Sequence, residues 1–143
     1  MLWRMYLEPT QDSGRALYLR GISGPVTMLN LLRFREVADY STHPWLAPRE
    51  PISGREAYDR YVAHSEPHVE AAGSRMTFFG EGGPYLIGPP EDRWDLVMLV
   101  EHRSVDAFFA MAQNDAYLAG LGHRVAALED SRLLPIVELP TAR

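Results

Sequence analysis

Two nearly continuous apolar runs organise the chain. Pro25 to Arg35 reads P-V-T-M-L-N-L-L-R-F-R, and Trp94 to Arg103 reads W-D-L-V-M-L-V-E-H-R. Turn residues bound both, and their length suits strands better than helices. Alternation puts Val26, Met28, Asn30, Leu32 and Phe34 on one face of the first run, and Thr27, Leu29, Leu31, Arg33 and Arg35 on the other. In the second run Leu96, Met98, Val100 and His102 oppose Val97, Leu99, Glu101 and Arg103. Strands apolar on both faces are expected at the centre of a sheet that is covered on both sides.

The remaining pattern supplies their partners. Met1 to Leu7 is compatible with a short edge strand or an arm on a neighbour, and Thr10 caps a short helix over Gln11 to Arg20. Prolines 44, 48 and 51 make Glu36 to Ile52 a long loop. Ser53-Gly54-Arg55-Glu56 is a capping box, which predicts a helix from Gly54 to about Ala72 with a kink or break at Pro67. Arg75 to Glu81 reads as a strand, Met76 and Phe78 alternating against Arg75, Thr77, Phe79 and Glu81, and Tyr85 to Gly88 as a short paired or bulged continuation. Ser104 caps a helix to about Gln113, Asp115 caps another over Ala116 to Leu128, and Ser131 to Leu139 closes as a strand. Gly120 and Gly122 weaken that last helix and so point to close packing.

This order is the β-α-β-β-α-β pattern of the ferredoxin-like split fold, an α+β class with an antiparallel sheet and helices on one face. It is read as one domain over 1–143, with 1–24 as an N-terminal extension packed on it. Helices on one face leave the second apolar face uncovered. A second copy is the simplest cover, and two sheets face to face give a dimeric α/β barrel.

Composition narrows the partners. The 143 residues suffice for an ordinary core, and 46% hydrophobic against 23% charged residues argues against disorder. A formal charge of -5 opposes attraction to nucleic acid or anionic membranes. All fourteen cations are arginines and there is no cysteine, which excludes lysine Schiff bases, disulfides, thiolate nucleophiles and thiolate metal sites. No apolar run approaches the ~20 residues of a membrane span, and no signal-peptide pattern is seen, so the expectation is a cytoplasmic protein.

Four segments then carry a resemblance: P-V-T-M-L-N-L-L-R-F-R, A-Y-D-R-Y, W-D-L-V-M-L-V-E-H-R-S-V-D-A-F-F-A-M and H-R-V-A-A-L-E-D-S-R-L-L. Together they resemble the family called domain of unknown function 1330, itself similar to dimeric α/β barrels. The resemblance spans about Gly24 to Val137 and implies the fold and the homodimer, with no established reaction.

Candidate chemistry follows from residue types. Asn30 interrupts an apolar face, so its carboxamide needs partners in a structural network or in a polar cavity. Tyr58 and Tyr61 lie one turn apart on the first long helix, where ring and hydroxyl suit an aromatic or quinone-like ligand. Packing in the core is the competing role. His123 could act as a base with Arg124 as an anion-binding fork, and Tyr61 joins His123 as a catalytic candidate. Asn30, Arg33, Tyr58, His64, Arg124 and Trp45 are the ligand-binding candidates. His64 and His68 have i, i+4 spacing but lack a third ligand, so no metal is expected. Asp130 and Arg132 read as a structural ion pair. Absent G-x-G-x-x-G, Walker A and G-x-S-x-G motifs, no cofactor is expected. The leading expectation is a homodimer binding a small apolar or aromatic metabolite between sheet and helices, with cofactor-independent monooxygenase or isomerase chemistry. The alternative is a non-catalytic ligand-binding or accessory protein.

Overall fold

A computed structural model describes residues 5–141. Helix α1 (Gln11–Leu19) precedes strand β1 (Val26–Phe34), and a single 3-10 turn (Pro44–Leu46) interrupts the long loop before α2 (Gly54–Ala71). Strands β2 (Arg75–Gly83) and β3 (Trp94–His102) follow, then α3 (Val105–Ala112), α4 (Asp115–Leu118), α5 (Leu121–Ala127) and β4 (Leu128–Ile136). The strands form one antiparallel sheet in the order β2-β3-β1-β4, the ferredoxin-like α+β arrangement expected from the chain order. The two long apolar runs are its central strands.

Register explains why one face is filled. Met28, Asn30 and Leu32 of β1 stand beside Val100, Met98 and Leu96 of β3. Towards the far end, Leu32, Leu96 and Met98 pack with Ala57 and Tyr58 of α2 and with Ala126 and Ala127 of α5. Towards the near end, Val26 and Met28 pack with Leu17 of α1 and Val105 of α3. Four helices therefore share the even-numbered face. The odd-numbered face carries Leu29, Leu31, Val97 and Leu99, all half-buried, with no helix of the described residues over them; at the edge strands both faces keep exposed apolar residues, Phe78 and Leu134 on this face and Met76, Phe79 and Leu133 on the other.

Several boundaries differ from those the pattern suggests. Helix α2 runs unbroken through Pro67. Proline removes only the bond to the Ala63 carbonyl, and both residues are exposed, so water can satisfy that oxygen. In β2 the register shifts between Met76 and Phe78, so Thr77 is the extra residue. Phe78 and Gly80 consequently pair with the odd-numbered Leu99 and Val97, while Phe79 pairs with Met98. Tyr85 to Gly88 is an exposed loop, not a strand. Asn114, not Asp115, accepts the capping bond of α4, and the expected single helix is split there into α4 and α5. Strand β4 begins at Leu128, three residues earlier than expected. Of the expected amino-terminal edge strand, residues 1–4 lie outside the described residues. Tyr6 and Leu7 are held by side chains instead of a ladder: the Tyr6 N–H donates to Asp130 Oδ1 at 2.9 Å, and Arg124 donates to the Leu7 carbonyl.

Candidate functional site

Several chemically capable side chains meet beside the split between α4 and α5. At Gly120 a Cβ would fall 2.1 Å from the His64 ring, and at Gly122 one would fall 2.6 Å from the His43 ring. Only glycine lets α2 and the 36–52 segment approach this closely, which is the packing role that the two glycines suggest. His64 fixes the contact by donating its Nε2–H to the Ala116 carbonyl at 2.7 Å. The resulting seam has three walls: Tyr40, His43 and Trp45 from the loop, Arg60, Tyr61 and His64 from α2, and Tyr117 and His123 from α4 and α5.

Two hydrogen-bonded pairs define its chemistry. Tyr40 Oη lies 2.7 Å from His123 Nδ1, ring edge to ring face, and His123 Nε2 has no protein partner among the described residues. Partial burial pushes the His123 imidazole below its ordinary range, and the charges of Arg60 and His64 push the same way. The ring is thus neutral near pH 7. With the proton on Nδ1, Nε2 is an acceptor; with Tyr40 donating instead, Nε2–H is a donor. Tyr40 itself is buried and its hydroxyl is raised by desolvation, so it stays protonated. The second pair is Tyr61 Oη and Tyr117 Oη at 2.6 Å. Burial first, and the neighbouring Tyr117 next, hold the Tyr61 hydroxyl well above the usual phenol range. It can donate or accept a hydrogen bond but does not ionise at working pH.

Most of the other expected site residues lie elsewhere. Tyr58 is fully buried between Phe34 and Tyr61, with ring centroids 5.5 and 5.3 Å away, and its hydroxyl ends 4.0 Å from Met98 Sδ. Asn30 donates from Nδ2 to the Met28 carbonyl of its own strand at 3.2 Å. The space between sheet and helices where a ligand was expected is filled by Leu32, Tyr58, Leu96, Met98 and Leu128, because these side chains are large enough to close the layer. Arg33 is on the opposite face of the sheet, 4.4 Å over Trp94 and 3.5 Å from Asp130. Arg124 donates to Leu7 and Ser131, a structural tie. Arg132 and Asp130 form the expected ion pair at 2.7 Å. Two further expected site residues do stand in the seam: Trp45, exposed beside His43, and His64, whose ring centroid is 5.5 Å from that of His68. No group of three metal-binding side chains occurs among the described residues.

Sequence reasoning missed Tyr40, His43, Arg60 and Tyr117 as members of the site. Tyr40 and His123 are 83 residues apart, and the neighbouring Asp39 N–H, donating to the Ala126 carbonyl at 2.9 Å, holds the loop against α5. A shallow, open concavity of about 250 Å³ lined by Phe34, Arg55, Glu81, Gly82 and Asp95 contains none of the seam residues.

Comparison with known proteins fits this picture. Among solved structures, the methylated RPA0582 protein is similar at 33% identity with a TM-score of 0.83, over 97% of this chain and 98% of that one. A second structure of RPA0582, described as a protein of unknown function from Rhodopseudomonas palustris, matches at 34% identity and a TM-score of 0.80, over 96% and 100%. This chain belongs to the RPA0582 family. A more distant likeness, at 13% identity and a TM-score of 0.47 over 78% of this chain and 94% of that one, is to a protein from Bacteroides fragilis described as dimeric with a ferredoxin-like fold. No family model and no curated protein matches. Family membership therefore supplies the fold and leaves the role of the seam to its own geometry. No helix among the described residues is long and apolar enough to cross a membrane.

Proposed function

We propose that this member of the RPA0582 family works as a homodimer, closed sheet to sheet, in which each protomer binds a small aromatic or apolar metabolite at the seam of Tyr40, His64 and His123. The observation that carries the site is the Tyr40–His123 pair, a neutral imidazole anchored on one nitrogen with the other free of protein partners. Such an imidazole can orient a ligand hydroxyl or carbonyl, and it can remove a proton from an activated carbon without any cofactor. Arg60 supplies a positive charge beside it for a developing oxyanion. Cofactor-independent monooxygenase or isomerase chemistry is the catalytic form of this reading. The dimer rests on the apolar odd-numbered face, and the motifs at Pro25–Arg35 and Glu129–Leu134 support kinship with the domain of unknown function 1330 family.

One observation favours a non-catalytic second reading. The interlayer volume is packed with side chains and Asn30 is bonded within its own strand, so among the described residues no enclosed chamber excludes water from a reaction there. A ligand-binding or accessory role needs only the seam.

The test is fluorescence titration with 2-naphthol, an aromatic probe with one hydroxyl, alongside native mass spectrometry of freshly purified protein. The expected result is saturable binding that weakens about tenfold in both His123→Gln and Tyr40→Phe, consistent with loss of one or two hydrogen bonds. Equal affinity in wild type and both variants would overturn the site. A proton-transfer or oxygen-consuming activity lost in His123→Gln, on any molecule that co-purifies, selects the catalytic form.

A further inference from the structure

The β2–β3 loop ends in the most exposed large apolar side chains of the described residues, Leu86 at 99% and Ile87 at 91% exposure. Exposure of this degree in adjacent residues is uncommon on a soluble surface that meets only water. The tip is also held in one shape. The Trp94 indole N–H donates to the Tyr85 hydroxyl, which binds the loop to the first residue of β3. Gly88 has φ +152, and a Cβ there would lie 2.4 Å from the Tyr85 ring, so only glycine closes the turn. Leu86 and Ile87 are therefore presented outward by a rigid support.

The root of this hairpin belongs to the open side of the sheet. Trp94 lies beneath the guanidinium groups of Arg33, at 4.4 Å, and Arg132, at 5.2 Å. Both arginines stand in the odd-numbered rows, with Leu31 and Asp130 as their register partners. Two β2 residues leading into the hairpin, Phe78 and Gly80, pair with odd-numbered Leu99 and Val97. The apolar surface of the open face is thus continuous in the chain with the hairpin that carries Leu86 and Ile87.

Area supplies the reason for an extension. Four strands of nine residues, at ~4.8 Å between strands and ~3.3 Å per residue, present a footprint of about 600 Å². A standard stable interface buries roughly 600–1,000 Å² per partner. The sheet alone sits at the bottom of that range, and a protruding apolar tip would enlarge the contact. A membrane surface fits less well, because Glu81, Glu91 and Asp92 flank the tip against one cation, Arg93.

We propose that the Leu86–Ile87 tip is a clasp that docks on a second copy of this chain, extending the sheet-to-sheet contact beyond the sheet's own edge. This inference rests on the dimer reading above. Two-fold symmetry makes the contact reciprocal, so each tip grips the other protomer.

The experiment is sedimentation velocity over a concentration series on the full chain, comparing wild type, the Leu86→Ser/Ile87→Ser double variant and Leu31→Arg. The expected result is a wild-type dimer whose dissociation constant rises at least about tenfold in the double variant, with far-UV circular dichroism unchanged. Both changed residues point into solvent in the protomer, so its fold has nothing to lose from them. Because the chain has no cysteine, Ile87→Cys also offers one site for a polarity-sensitive fluorophore, whose emission should shift to the blue as dimer forms. Unchanged association in the double variant, with Leu31→Arg disrupted, would overturn the clasp and leave the sheet-to-sheet dimer standing. Unchanged association in Leu31→Arg would remove that dimer reading itself, and a monomeric wild type would remove both. Wild-type binding to phosphatidylcholine vesicles, abolished in the double variant, would reassign the tip to a membrane and overturn the clasp.

Discussion

The even and odd faces of the same four strands make an instructive pair. On the even face Val26, Met28, Leu32 and Leu96 are fully buried under α1, α2, α3 and α5. On the odd face equally apolar residues, Leu29, Leu31, Val97 and Leu99, are half-buried, and Leu134 remains 54% exposed. Alternation gives both faces the same hydrophobic character, so composition does not distinguish them. What differs is the supply of covering elements within the chain. The middle of one face is closed by folding, although Met76, Phe79 and Leu133 at its edges stay exposed; the middle of the other has the material for an interface and no helix of the described residues over it.

The comparison breaks most sharply at the level of stability. Leu96→Ala should cost about 2–5 kcal/mol at any protein concentration, since it removes a packed side chain and leaves a cavity. Leu134→Ala should cost under about 0.5 kcal/mol in dilute solution, where its side chain already meets water. Urea unfolding at low and high protein concentration checks both. A large concentration-independent loss from Leu134→Ala would mean that the odd face is already closed within one chain. Next in size, Leu99→Arg places a charge in the middle of the odd face. It should weaken self-association by about a hundredfold or more while leaving the dilute protomer's unfolding midpoint nearly unchanged, as read by sedimentation equilibrium and by melting.

Much of the even face was legible in the sequence because its signals are local. The capping box at Ser53–Glu56 marks the start of α2, and the long apolar runs mark β1 and β3. Strand β2 was harder. Phe78 and Phe79 are adjacent aromatics, so either could be the inward residue, and the bulge at Thr77 that decides between them leaves no compositional trace. The seam was half legible: Tyr61, His64 and His123 stand out by residue type and helical position, whereas Tyr40 gains meaning only from a partner far along the chain. Asn30 misleads for the opposite reason. Its polarity invites a functional role, yet the nearest carbonyl of its own strand satisfies its amide.

A smaller effect separates the faces by pH. His102 closes the even face beside β1, only 2% exposed, with Nδ1 2.7 Å from Ser74 Oγ and its ring edge-on to Phe108. Burial depresses its pKa below the ordinary value of about 6.5. The unfolded chain therefore takes up this proton before the folded one does. Stability from neutral His102 is fully present above about pH 6.5 and declines as the pH falls through that value towards the lower, folded pKa. His102→Gln should flatten the melting temperature between pH 7 and 5 relative to wild type. The odd face offers a control in Arg75 and Glu101, an exposed ion pair whose removal should leave the slope in that window unchanged. An unaltered slope in His102→Gln would show that the proton-linked loss arises elsewhere.

A further small change tests a polar position in the middle of the even face. Asn30→Leu keeps the branched shape with a somewhat larger side chain and removes a single 3.2 Å bond from Nδ2 to the Met28 carbonyl, at a half-buried site flanked by Met98 and Leu133. The lost hydrogen bond costs about 1 kcal/mol, and added apolar burial offsets part of it, so the net change should be under about 1 kcal/mol. Binding of 2-naphthol at the seam should be untouched, because Asn30 has no bond to any histidine or tyrosine among the described residues. If affinity fell with stability intact, the ligand would have to reach between the layers, displacing the Met98 and Tyr58 contact that now fills them. The even face would then be a binding surface as well as a core, and the division of labour between the two faces would no longer hold.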